Sequence, residues 1–89
     1  MLSREVKIQN KIGLHARPAT IFVQRATSFK ASVWVEKDNR RVNAKSLLGV
    51  LSMGLVKDMT VTIITDGTDE EAAMQSMVEL ITYELDEIN

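Results

Sequence analysis

His15 is the one histidine of the chain, and it lies in the run Gly13-Leu14-His15-Ala16-Arg17-Pro18-Ala19. Within a helix, proline is well tolerated only in the first turn, so Pro18 marks a helix start. It places His15 at the join between a glycine loop and a helix N-terminus. Such a terminus presents unpaired N–H groups and a positive partial charge, which together favour anions. A neutral imidazole nitrogen is a nucleophile toward phosphorus. A phosphoryl group on the ring would accept hydrogen bonds from the first helical N–H groups, and Arg17 would clamp the same oxygens with its guanidinium. Gly13 keeps the approach open. A capping or core histidine fits the same spacing, so the pattern alone leaves both readings standing.

Ser46 is the second candidate. In Lys45-Ser46-Leu47-Leu48-Gly49 it is a good N-cap for a short helix over residues 47–52. A phosphate on Ser46 would bring about -1.5 to -2 charges to that helix N-terminus, where negative charge is favoured. It would stand beside Leu47, Leu48 and Leu51, which form an apolar docking patch near His15 on this reading. On the simpler reading, Ser46 is only a cap and the three leucines are core.

The elements that must hold these residues follow from periodicity. Val6 and Ile8 alternate with Lys7 and Gln9, giving a strand over 4–9 with one buried face. Ala19, Phe22, Val23 and Ala26 recur at helical spacing and predict a helix from about Ala16 to Ser28, although Pro18 biases Arg17 away from α geometry and leaves the first residue open. Residues 31–37 alternate again, with Val33 and Val35 inward and Trp34 outward. Asp38-Asn39 suits a hairpin turn, with a short return strand from Arg40 to Asn43. Met59, Val61 and Ile63 make a further strand. Gly67 and Asp69 supply a turn and cap, and Asp69, Glu70 and Glu71 complement a helix dipole. Met74, Met77, Val78, Ile81, Leu85 and Ile88 then fit one long amphipathic helix. The order is βαββαβα. Single apolar stripes on the helices and one apolar face on each strand make two layers, with the helices on one side of the sheet.

Composition narrows the classes of function. The 89 residues form one domain, residues 1–89, with 45% hydrophobic but only 4% aromatic residues, so its core is aliphatic. Net charge is -1 with charges scattered, which argues against nucleic acid and against an anionic membrane surface. There is no cysteine and only one histidine, which removes thiolate chemistry and argues against a protein-built metal site. No cofactor is implied. The N-terminal residues lack the apolar segment of a signal peptide and no run reaches membrane-spanning length, so the expected location is the cytoplasm.

Three segments, in order along the chain, resemble the HPr family, the histidine phosphocarriers of the bacterial phosphoenolpyruvate:sugar phosphotransferase system. Gly13 to Ala19 is similar to the family's active-site signature at every residue. Val42-Asn43-Ala44-Lys45-Ser46-Leu47-Leu48-Gly49, followed by Leu51-Ser52-Met53-Gly54, resembles the regulatory segment of the Gram-positive branch. Gly67-Thr68-Asp69-Glu70-Glu71-Ala72-Ala73 resembles its last strand-to-helix turn.

The resemblance implies an α+β, two-layer open-faced β-sandwich, with three helices on one face of a four-stranded antiparallel sheet. It implies that His15 accepts a phosphoryl group from phosphoenolpyruvate-charged enzyme I and gives it to sugar-specific EIIA components, with Arg17 stabilising the phosphate. Such a protein is a carrier through a phosphohistidine intermediate and not an enzyme. It further implies phosphorylation of Ser46 by the HPr kinase/phosphorylase, the modified form serving as corepressor for a catabolite-control transcription factor.

The chain departs from the family pattern at Ile12, usually small or hydroxylated, and at Asn39 and Asp58, where glycine is common. Asn and Asp tolerate the left-handed turn conformation. Leu47, Leu48 and Leu51 stand where Ile or Met is frequent.

Val35-Glu36-Lys37-Asp38 and the Ser46 segment are also similar to Crh, an HPr-like regulator of carbon catabolite repression that lacks the active-site histidine. The presence of His15 favours the carrier. The Ser46 segment speaks against a nitrogen-branch homologue. Charge and the lack of ligands argue against a small ferredoxin-like RNA or metal binder.

Overall fold

A computed structural model describes residues 1–87. Its elements are β1 (Leu2–Lys7), α1 (Ala16–Thr27), β2 (Ser32–Lys37), β3 (Arg40–Asn43), α2 (Leu47–Ser52), β4 (Thr60–Asp66) and α3 (Glu70–Glu79), followed by a π-helical turn at Leu80–Glu84 and a 3₁₀ turn at Leu85–Glu87. The strands form one antiparallel sheet in the order β1-β4-β2-β3. The architecture is the α+β open-faced sandwich, with the order of elements that periodicity predicts.

Register explains which side chains enter the core. Val6 lies opposite Val61, and Val35 opposite both Ile63 and Val42, so the inward positions of all four strands line up. Against them pack Phe22 and Ala26 of α1, Val50 of α2, and Met74, Met77, Leu80, Ile81 and Leu85 from the C-terminal helical run. The aliphatic core expected from composition is therefore present, with Phe22 as its one fully buried aromatic.

The outer face carries Trp34 opposite Ile64. Trp34 is outward, as alternation requires, but half-buried rather than open, and the Arg41 guanidinium lies 5.8 Å from its ring centroid. Arg41 also donates to Glu36 on the same face at 3.0 Å. Ile64 is only 4% exposed although it belongs to this outer face. The outer face thus has a small apolar centre of its own, which alternation on the inner face does not reveal.

Several boundaries differ from the sequence expectation. β1 spans Leu2–Lys7 instead of 4–9, because its last ladder pair is Lys7 with Thr60. Beyond it the partner strand turns at Asp58, whose φ is +76°. Asp38 and Asn39, at φ +52° and +65°, both take the left-handed conformation that a tight two-residue hairpin requires.

The long C-terminal helix is not continuous α-helix. It becomes π-helical at Leu80, and of the predicted stripe Ile88 lies outside the described residues. The π turn carries Glu84, which accepts from Arg25 of α1 at 2.6 and 3.2 Å. Arg25 also donates to Ser76 Oγ at 3.1 Å, so one guanidinium joins α1, α3 and the π turn.

Asp69 does not cap α3 through its side chain. Its carboxylate accepts the backbone N–H groups of Lys30 and Ala31 at 2.9 and 2.7 Å, tying the α1–β2 connection to the start of α3. The Lys30 N–H bond first, and the Ala31 bond with it, holds the Asp69 carboxyl below its usual pKa range. Glu70 is lowered chiefly by the Gly67 N–H, and Glu84 chiefly by Arg25.

A carboxyl whose pKa is depressed by folding contributes stability above its unfolded pKa, and that contribution is lost as pH falls through the folded value. Thermal unfolding is accordingly expected at a lower midpoint at about pH 3 than at about pH 6. Asp69→Asn should narrow the gap. Equal midpoints at the two pH values in the parent chain would contradict this account.

Candidate functional site

His15 stands immediately before α1, with extended backbone (φ -128°, ψ 158°). Its ring makes no capping hydrogen bond and is partly exposed, so it is neither the capping nor the core histidine that a lone histidine often is. The next residue, Ala16, has φ +52°. For an alanine that left-handed conformation costs about 1–2 kcal/mol. Pro18 is buried in the first turn, as the sequence required, and supplies no N–H. The first turn of a helix leaves its N–H groups without intrahelical acceptors, and α1 has no acidic residue there to occupy them. Arg17 is exposed and, among the described residues, forms no ion pair. A half-open imidazole, unpartnered amides and an unpaired guanidinium therefore share one helix end, a setting suited to a dianionic group.

The loop leading into His15 is held from below. Gly13 has φ +68°, and a Cβ there would fall 2.2 Å from the carbonyl oxygen of Leu55 and 2.7 Å from Val56 Cα. Leu14 is fully buried and donates its N–H to the Leu55 carbonyl at 3.0 Å. Glycine is thus required at 13 for close passage of two backbones, beyond leaving the histidine accessible.

Asn10 is not among the candidate residues that motif and spacing point to. It is 2% exposed, and its Nδ2 donates to the Gly13 carbonyl at 2.8 Å. Its own carbonyl accepts the Gly13 N–H at 3.2 Å. The signal was present in the alternation Val6, Ile8, Asn10, which puts a polar amide where the pattern calls for an apolar side chain.

Ser46 caps α2: its backbone is extended and its Oγ accepts the Gly49 N–H at 3.1 Å. Lys45, next to it, is committed elsewhere, donating to the Phe29 carbonyl at 2.8 Å. Leu47, Leu48 and Leu51 are 41%, 80% and 37% exposed, which removes the reading that they are core residues; Val50 is the α2 residue that is buried. α2 packs against α1. Ile12 and Val56 add exposed apolar surface, Ile12 in the loop before His15 and Val56 beside Gly13.

Among the described residues no three His, Cys, Asp or Glu side chains are grouped to hold a metal ion, and no helix is long and apolar enough to cross a membrane.

Comparison with known proteins agrees with this layout. The family model described as the PTS HPr component phosphorylation site matches residues 2–83. The chain is 42% identical over 84 residues to the HPr-like protein Crh of Halalkalibacterium halodurans, covering 94% of this chain and all of that one. It is 43% identical over 81 residues to the phosphocarrier protein HPr of Neisseria meningitidis, covering 91% of each. Among solved structures, HPr from Thermoanaerobacter tengcongensis superposes with a TM-score of 0.92 at 46% identity over 94% of both chains. HPr from Bacillus anthracis gives 0.89 at 38% identity over 91% of this chain and 96% of that one. With the family model spanning nearly all of it and relatives above 40% identity along their length, the chain belongs to the HPr family, the phosphocarriers of the phosphotransferase system.

Proposed function

We propose that this chain accepts a phosphoryl group on His15 from phosphoenolpyruvate-charged enzyme I and passes it to EIIA components of sugar permeases in the cytoplasm. The observation that carries the reading is the half-open His15 ring at the N-terminus of α1, inside the segment matched by the family model. In the transfer, a bond forms between phosphorus and a His15 ring nitrogen as the donor's bond to phosphorus breaks. The step needs positioning and charge stabilisation more than covalent assistance. Arg17 and the free amides of the first turn meet the phosphoryl oxygens, while the donor's own groups expel water during docking. Leu47, Leu48 and Leu51 offer the apolar contact that holds a partner over the site.

Intact-mass measurement after incubation with phosphoenolpyruvate and enzyme I tests this. A single phosphate that is lost in acid supports phosphohistidine. No adduct under those conditions would remove the carrier reading.

Ser46 supports a second role. Its Oγ caps α2 next to the exposed leucines, and Crh proteins are among the relatives. Phosphorylation by an ATP-dependent kinase, the HPr kinase/phosphorylase, would set a dianion in the docking surface without refolding the chain. The modified form would then bind a catabolite-control transcription factor. A chain acting only in this regulatory way, as a Ser46-phosphorylated corepressor, is the alternative function.

Ser46→Asp is expected to slow phosphorylation of His15 by about tenfold, since a charge added to the apolar docking surface is desolvated without a partner when the donor binds. Stopped transfer reactions followed by mass would read the rate, and an unchanged rate would sink the electrostatic account.

A further inference from the structure

We infer that Asn10 is a positioning residue for His15: its side-chain amide locks the turn that aims the histidine, and efficient phosphoryl transfer depends on that lock. The part concerning transfer rests on the carrier reading.

Asn10 closes on Gly13 from both sides of the peptide chain. Its Nδ2 donates to the Gly13 carbonyl at 2.8 Å, and its main-chain carbonyl accepts the Gly13 N–H at 3.2 Å. The next residue is fixed as well, Leu14 donating to Leu55 and lying fully buried. The chain therefore reaches His15 with its direction already set. That matters because the His15 side chain makes no capping bond of its own, so its backbone must aim the ring. The backbone there is strained, with Ala16 at φ +52°. Such a conformation persists only where the surroundings over-determine it. The Asn10 turn restrains it from one side and buried Pro18 from the other.

The remaining atom of the amide strengthens the inference. Asn10 Oδ1 is buried without a donor from any described protein group. A buried amide whose oxygen goes unused is a poor choice for stability alone, and an apolar side chain on the Val6–Ile8 face would be buried at lower cost. What the amide adds over an apolar residue is the one bond to Gly13.

The test compares the parent chain with Asn10→Ala and Asn10→Asp, each at a temperature where circular dichroism shows it folded. In Asn10→Ala, kcat for His15 phosphorylation by enzyme I is expected to fall by about 10- to 100-fold, as small misplacements of a reacting group do. KM for the carrier should change little, since the exposed leucines are untouched. In Asn10→Asp an ionised carboxylate cannot donate to Gly13, whereas the protonated acid can. Its rate relative to the parent should therefore recover as pH is lowered. The pH series is made on one folded variant, so it stays informative even if Asn10→Ala does not fold. The His15 ring resonances should shift in both variants at neutral pH.

A parental kcat in Asn10→Ala, a loss confined to KM, a rate ratio for Asn10→Asp flat with pH, or unshifted His15 resonances would each overturn the inference. Should enzyme I fail to phosphorylate the parent chain, the carrier reading falls. The resonances then decide by themselves whether Asn10 positions His15.

Discussion

His15→Ala is expected to abolish phosphorylation by phosphoenolpyruvate and enzyme I, leaving no acid-labile adduct by intact mass, while ATP-dependent modification of Ser46 proceeds. The effect should be total rather than graded, because the chain holds no second histidine and no cysteine that could take over as nucleophile. Ser46 is no substitute. Its hydroxyl oxygen is engaged with the Gly49 N–H, and the first turn of α2 carries no acidic residue. Nor should the variant unfold. The His15 ring makes no capping bond and is partly exposed, so truncating it removes little packing. Loss of transfer with unchanged unfolding temperature separates a chemical role from a structural one. Retained transfer in His15→Ala would refute the assignment, and loss of Ser46 labelling together with transfer would point to a collapsed fold.

The sequence revealed most of the elements because strands and helices here each bury one face, and burial imposes period 2 or 3.6 on the residues. Val33 and Val35, or Phe22 and Ala26, could hardly have been placed otherwise. Pro18 and Ser46 reported helix starts through chemistry that is local and strong.

What stayed hidden is of another kind. Nothing in an alanine announces a positive φ, so the strain at Ala16 could not be read from residue type. The π turn at Leu80–Glu84 keeps Ile81 and Leu85 buried while bringing Glu84 to Arg25, and the apolar stripe alone does not distinguish it from regular helix. Asp69 has the residue type of a cap, yet its partners lie across the fold at Lys30 and Ala31, a long-range contact that local spacing cannot specify. Asn10 falls between these cases. Its parity with Val6 and Ile8 was visible, but its partner was not. The exposed state of Leu47, Leu48 and Leu51 likewise required the structure, since apolar residues on a short helix beside a core fit either side of it.

Gly13→Ala should be far more damaging than the same change at Gly54, and the contrast isolates what Gly13 does. Both glycines have positive φ, +68° and +59°. At Gly54 an added Cβ meets nothing within 4 Å, so only the backbone term applies, about 1–2 kcal/mol. At Gly13 it meets the Leu55 carbonyl oxygen at 2.2 Å and Val56 Cα at 2.7 Å. Those are backbone atoms, and they cannot swing aside as a side-chain tip would. The Leu14 N–H is bonded to that same Leu55 carbonyl, and a little further along Asp58 donates to Ile8 and Ile8 to Met59, so both segments are anchored. Overpacking of this kind adds about 1–3 kcal/mol to the conformational term, for a total of roughly 2–5 kcal/mol. Urea unfolding of the two variants measures the difference directly. If the loop instead yields, stability is partly recovered, but the Asn10–Gly13–Leu14 register shifts and His15 is no longer aimed, so transfer falls even in the folded fraction. Equal stability for Gly13→Ala and Gly54→Ala, with parental transfer in both, would mean that the two backbones do not pass this closely, and that the loop before His15 is looser than its hydrogen bonds imply.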